Sequence, residues 1–206
     1  MDGTAKLWHI ASSVVLYTFS LSAENNGVTT LRVLDCSWLD CSSKPNKEDP
    51  EFDLTKNKLL LLGTANGSVH GYNLFDRNLL FTISLPENIR IKSLDSSLGI
   101  YKIWLGLDNG ILCILSIDET FKVCIESMHR RSKSSLYVSS KPCKNSEHLW
   151  LSSSDGSCAL WSFKDDQILR ELAFSTTQSS CVYGFSDDMI LCSGSSGLVY
   201  MLKLNH

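Results

Sequence analysis

Short apolar runs recur along this chain, and each ends in small residues and a glycine. The runs are "LLLLGTANG", "IWLGLDNG", "LWLSSSDG" and "ILCSGSSG". They continue as "NGSVHGYNL", "NGILCILSI", "DGSCALWSF" and "SGLVYMLKL", and the chain itself opens on a fifth form, "DGTAKLWHI". The glycines are Gly3, Gly67, Gly110, Gly156 and Gly197. Five positions after each stand Trp8, Tyr72, Leu115, Trp161 and Leu202; seven positions after stand Ile10, Leu74, Ile117, Phe163 and Leu204. Asn-Gly and Asp-Gly suit a two-residue turn, because Gly accepts a positive φ and Asn or Asp tolerates it. Each motif therefore predicts a β-hairpin. Further strands are predicted on both sides, as in "GVTTLRVLDCSWL" before and "RNLLFTISL" after the second motif. The unit is thus four short strands with a period of about 40–45 residues. Helical periodicity is absent, so the fold class is all-β.

A four-stranded unit cannot cover both of its faces. Stacking such units radially does, and strands buried on both faces read as nearly continuous apolar runs. The expected architecture is a β-propeller of four-stranded antiparallel blades. At "SDGSCALWSF" (154–163) and "DGTAKLWHI" (2–10) the chain resembles the WD-repeat family of propellers. His9, Asn73, Ser116, Ser162 and Lys203 stand where the family has an Asp after its Trp, and the Gly-His pair that opens a family repeat is missing. The resemblance implies that the polar network those residues form is absent here. It places blades at about 1–22 (third and fourth strands only), 27–85, 89–128, 134–174 and 180–206 (first three strands only). That is three complete blades and two partial ones, so the expectation is a C-terminal portion of a longer ring, with Met1 an internal methionine. It also implies a non-catalytic scaffold that binds proteins through its rims in the cytoplasm. The alternative is the regulatory C-terminal propeller of a larger signalling enzyme, a kinase or guanine-nucleotide exchange factor.

Composition excludes several classes. The net charge of −3 lacks the basic footprint of a nucleic-acid binder. No apolar run is long enough to span a bilayer, and no secretory signal precedes the first strand. The eight cysteines form no CxxC pair. Cys113, Cys124, Cys158, Cys181 and Cys192 fall in apolar strands, where they are expected as reduced core thiols. No metal site, cofactor or catalytic set is predicted. Ser152 to Ser154 precede a turn, as Gly63 and Gly106 do, and their smallness is read as structural.

Two segments carry candidate binding residues. The insertion "CSSKPNKEDPEFDLTKN" (41–57) lies between the first and second strands of its blade, with Phe52 as a candidate protein-binding anchor. Its prolines and balanced charges favour an extended loop. The segment "MHRRSKSS" (128–135) is read as the link to the next blade. It holds the local basic cluster Arg130, Arg131 and Lys133, and Ser134 lies where a basophilic kinase would act.

Overall fold

Seventeen strands make up the described part of the chain. The computed structural model describes residues 3–21, 27–35, 58–97, 101–139, 148–173, 179–186, 189–194 and 199–203. The chain divides into two compact units, Met1–Ile91 and Lys92–His206.

The first unit holds β1 (Thr4–His9) and β2 (Val14–Ser20), paired as a two-stranded sheet, and the sheet β3 (Val28–Asp35), β4 (Lys58–Thr64), β5 (Ser68–Asn73) and β6 (Leu79–Ser84). The second holds three sheets. One is β7 (Ile91–Ser97, its first residue at the boundary), β8 (Lys102–Leu107), β9 (Ile111–Ile117) and β10 (Val123–Arg130). The next is β11 (Leu136–Ser139), β12 (His148–Ser153), β13 (Ser157–Ser162) and β14 (Gln167–Ala173). The last is β15 (Ser179–Ser186), β16 (Met189–Gly194) and β17 (Val199–Lys203). Strand neighbours in every sheet are neighbours in sequence, and the pairings are antiparallel. The fold is all-β and built from four-stranded antiparallel sheets, as the apolar runs predict. A single 3-10 turn at Pro86–Asn88 is the exception to strand and loop among the described residues.

Burial peaks on the second and third strands of each four-stranded sheet. The second strands are covered on both faces: Leu59, Leu61, Leu62, Ile103, Leu105 and Leu149 have no exposed surface. That accounts for their unbroken apolar sequence. On the fourth strands β6, β10 and β14, at least half of the residues are exposed. Within each unit, neighbouring sheets pack face to face. Ala5 and Phe19 of the two-stranded sheet meet Leu60, Leu62 and Leu74 in the first unit. In the second unit, Trp104, Leu112 and Ile114 pack on Leu136, Leu149, Leu151 and Trp161, and Trp150, Cys158 and Leu160 pack on Ile190 and Cys192.

The turns differ from the two-residue form. Residues 65–67, 108–110 and 154–156 are three-residue loops, closed by the amides of Gly67, Gly110 and Gly156 donating to the carbonyls of Thr64, Leu107 and Ser153. The glycine alone takes a positive φ, +78°, +81° and +91° respectively. The preceding Asn or Asp keeps a negative φ and acts through its side chain. Asn109 Oδ1 accepts from the Ile111 amide at 3.2 Å, and Asp155 Oδ1 accepts from the Ser157 amide at 2.9 Å. This is a type I turn followed by a left-handed glycine.

A second irregularity recurs. Where the third strand pairs with the fourth, the register slips by one residue four positions beyond the glycine. Leu16, Leu80, Glu126 and Leu169 are the extra residues, each on a fourth strand or, in the two-stranded sheet, on β2.

The cysteine reading holds in part. Cys113, Cys158 and Cys192 are buried free thiols, with Cys158 Sγ and Cys192 Sγ 3.2 Å apart. Burial pushes the Cys113 thiol up to about 12. Cys124 is exposed instead, because the fourth strand that carries it faces solvent; it sits 2.9 Å from Ser116 Oγ.

Candidate functional site

The segment 128–135 does not form the basic cluster that its sequence suggests. β10 runs through Arg130, so Met128, His129 and Arg130 belong to the strand. The three cations then separate. Arg130 donates to the Asn109 carbonyl at 2.8 Å, in the turn of its own sheet. Arg131 turns to the next sheet, where its guanidinium lies 4.8 Å over the Trp161 ring and pairs with Asp166. Lys133 is exposed and makes no ion pair among the described residues. Ser134 is half-buried, with its amide donating to Ser132 Oγ at 3.0 Å. Phe52 and the insertion 41–57 lie outside the described residues; the flanking Asp35 and Lys58 are paired across β3 and β4.

The Arg131 contact is a clamp between two sheets. Trp161 is 1% exposed, and Arg131 closes over it. The Arg131 hydrogen bond holds the exposed Asp166 carboxyl below the usual carboxylate value, and His129, 3.8 Å away, adds to this. Asp166 takes the left-handed φ of +48°, as Ser13, Arg77 and Phe121 do in the corresponding turns. The clamp could not be read from the charge pattern, since Arg131 and Asp166 stand 35 residues apart.

Beside the clamp is a cleft of about 180 Å³. Trp104, Ile114, Trp161 and Phe163 form its apolar walls, and Lys102, Glu126, Ser127, His129 and Asp166 form its polar ones. Lys102 pairs with Glu126 across it. The Trp104 and Phe163 rings are 5.6 Å apart and tilted by 44°.

A polar network of serines closes on the β12–β13 turn. Ser132 Oγ lies 2.6 Å from Ser153 Oγ and donates to Asp155 Oδ2 at 3.0 Å. Asp155 also accepts from the Ser157 hydroxyl at 2.6 Å. The network ties the segment between β10 and β11 to the β12–β13 turn. Ser153 is therefore a hydrogen-bonding residue and not merely a small one. Ser152 is equally buried, but its hydroxyl has no hydrogen-bond partner among the described residues.

Partial burial pushes the Asp155 carboxyl up, but the hydrogen bonds from Ser157, Ser132 and Ser153 outweigh it and hold the group below its ordinary 3.8. A depressed carboxylate stabilises the fold above its unfolded pKa, and the effect is lost as pH falls through the lower folded value. Asp155→Asn keeps the turn chemistry and removes the charge. The expected loss is about 0.5–1 kcal/mol at pH 7, small because the carboxylate is partly in solvent. The gap between wild type and Asp155→Asn should close as pH drops below 3.8. Urea denaturation at pH 7 and at stepped acid pH checks both; a gap that persists at the lowest pH rules out the charge as its cause.

Among the described residues, no three His, Cys, Asp or Glu side chains come together as a metal site. No helix there is long and apolar enough to cross a membrane. Compared with known proteins, the chain matches no family model and no curated protein sequence.

Proposed function

We propose that the sheets of this chain are WD-repeat-type β-propeller blades and that it acts as a non-catalytic scaffold, binding polypeptide partners through its rim surfaces. The observation that carries the reading is the recurrence of one local unit in successive sheets. In each complete unit a covered second strand leads to a left-handed glycine turn, and the third strand then meets a bulged, exposed fourth strand. Face-to-face packing of neighbouring sheets within each unit is the arrangement that blades require. A rigid stack with short loops suits binding: a few anchors in its surface carry most of the affinity.

Arg130 and Lys133 are exposed beside the turn of β8 and β9, and Phe52 stands in the insertion. These are the proposed anchors. The test is affinity capture with the whole chain, followed by calorimetry with the purified partner. Arg130→Glu with Lys133→Glu, or Phe52→Ala, should weaken binding by at least about tenfold, which is about 1.4 kcal/mol. The denaturation midpoint should change little. Binding untouched by either variant would reject these anchors, and a chain that captures no polypeptide would reject the scaffold itself.

A further inference from the structure

We propose that Cys158 and Cys192 are a redox-active pair, which a peroxide oxidises to a disulfide that fastens β13 of one sheet to β16 of the next.

Cys158 Sγ and Cys192 Sγ lie 3.2 Å apart, although the residues stand 34 positions apart in sequence. Both are free thiols on neighbouring sheets of the second unit, in the cluster with Trp150, Leu160 and Ile190. A disulfide brings two sulfurs to about 2.05 Å, so the packed sheets already hold this pair within reach of the bond. The other free cysteines among the described residues show the contrast. Cys113 is buried with its thiol pushed up to about 12, and Cys124 is exposed beside Ser116 Oγ. Neither of them meets a second sulfur there.

The two thiols are not equivalent. The Cys158 S–H donates to Cys192 Sγ. That hydrogen bond pushes the Cys158 thiol up, with burial and the Asp155 charge adding to it, and it holds the Cys192 thiol below its ordinary value. Asp155 sets the direction, because its carboxylate disfavours a second negative charge on Cys158. The thiolate, which is the attacking form, therefore belongs to Cys192. It attacks one oxygen of hydrogen peroxide; the O–O bond breaks, and hydroxide leaves and takes up a proton as water. Cys192 is then a sulfenic acid. The Cys158 sulfur attacks the Cys192 sulfur, the S–S bond forms, the S–O bond breaks, and the hydroxyl leaves as water with the Cys158 proton. Two thiols lose two electrons, and one peroxide becomes two waters.

Access is narrow. Cys158 and Cys192 are 1% and 2% exposed, so a reagent enters only when neighbouring side chains move. Tyr137 and Leu172, which pack against the cluster, are themselves only partly buried. Brief local openings there admit a molecule little larger than water.

The test treats the whole native chain with equimolar hydrogen peroxide, unfolds it in an alkylating reagent without reductant, and maps its peptides by mass spectrometry. The expected product is a peptide pair joined through Cys158 and Cys192, lighter by two hydrogens than its reduced parts and separated again by dithiothreitol. Cys158→Ser should stop at the Cys192 sulfenic acid, which dimedone traps, and Cys192→Ser should leave Cys158 reduced. If either variant does not fold, the wild-type map decides alone. The urea midpoint of the linked chain should rise, because the bond closes the loop 158–192 in the unfolded state. Alkylation of both cysteines after peroxide treatment, or links mainly to other cysteines, would overturn the proposal. A midpoint lowered by the link would overturn it too, since the pair would then not be positioned for the bond. No partner protein enters this experiment, so its failure is distinct from failure of the scaffold reading.

Discussion

Gly110→Ala will remove about 3 kcal/mol of stability, a large share of the roughly 5–15 kcal/mol of a typical domain. Two effects add. Gly110 has φ of +81°, where an L side chain is unfavourable by about 1–2 kcal/mol. The new Cβ would also be driven into the Ser132 carbonyl and to within 2.7 Å of the Ser134 carbonyl oxygen. These are backbone atoms and cannot rotate aside, and overpacking of this kind adds about 1–3 kcal/mol. The damage should spread. The Gly110 carbonyl accepts from the amides of Arg131 and Ser132, at 2.9 and 3.1 Å, so pushing the segment away also disturbs the Arg131 clamp and the serine network. Urea denaturation measures the loss, and near-ultraviolet circular dichroism reports the tryptophan environment. A loss below about 1 kcal/mol would show that the segment moves freely, and the argument from close approach would fail.

Trp161→Ala is expected to be as severe, at about 3–5 kcal/mol. Trp161 sits in the cluster that joins β8 and β9 to β11, β12 and β13, so its removal opens a void between two sheets. It also strips the surface on which Arg131 lies. Trp161→Phe keeps most of the volume and should lose clearly less. Arg131→Ala combined with Trp161→Leu, which removes the aromatic ring, gives a double-mutant cycle whose coupling should be about 0.5–1 kcal/mol. A Trp161→Ala loss under about 2 kcal/mol would mean that the sheets close over the gap. Zero coupling in the cycle would mean that the stacked guanidinium contributes nothing.

The strands were legible because their burial is written in composition. Leu59 to Leu62 and Ile103 to Leu105 are apolar at successive positions, which only coverage on both faces explains. The turn type was not legible. "NG" permits two loops, and the choice depends on whether Asn109 turns its backbone left-handed or bonds the Ile111 amide with its side chain. The site was the least legible part. Arg130, Arg131 and Lys133 fall within four residues of sequence, yet their partners are a local carbonyl, a distant Trp161 with Asp166, and solvent. Serine carries little pattern of its own. The role of Ser132 appears only once β10, β11 and the β12–β13 turn are brought together.

The register slip on each outer strand has a consequence for solubility. Val14, Leu16, Leu79, Ile125, Ile168 and Leu169 are large apolar side chains exposed on these strands. A flat edge with such side chains is a template for another chain to add as a strand, the first step toward fibrils. The extra residue bends the strand, steepens its twist and leaves a gap in its hydrogen-bonding row. An incoming strand that matches one half of the edge is out of step with the other. The same irregularity, repeated from unit to unit, lets the protein keep apolar outer strands without inviting copies of itself to zip onto them.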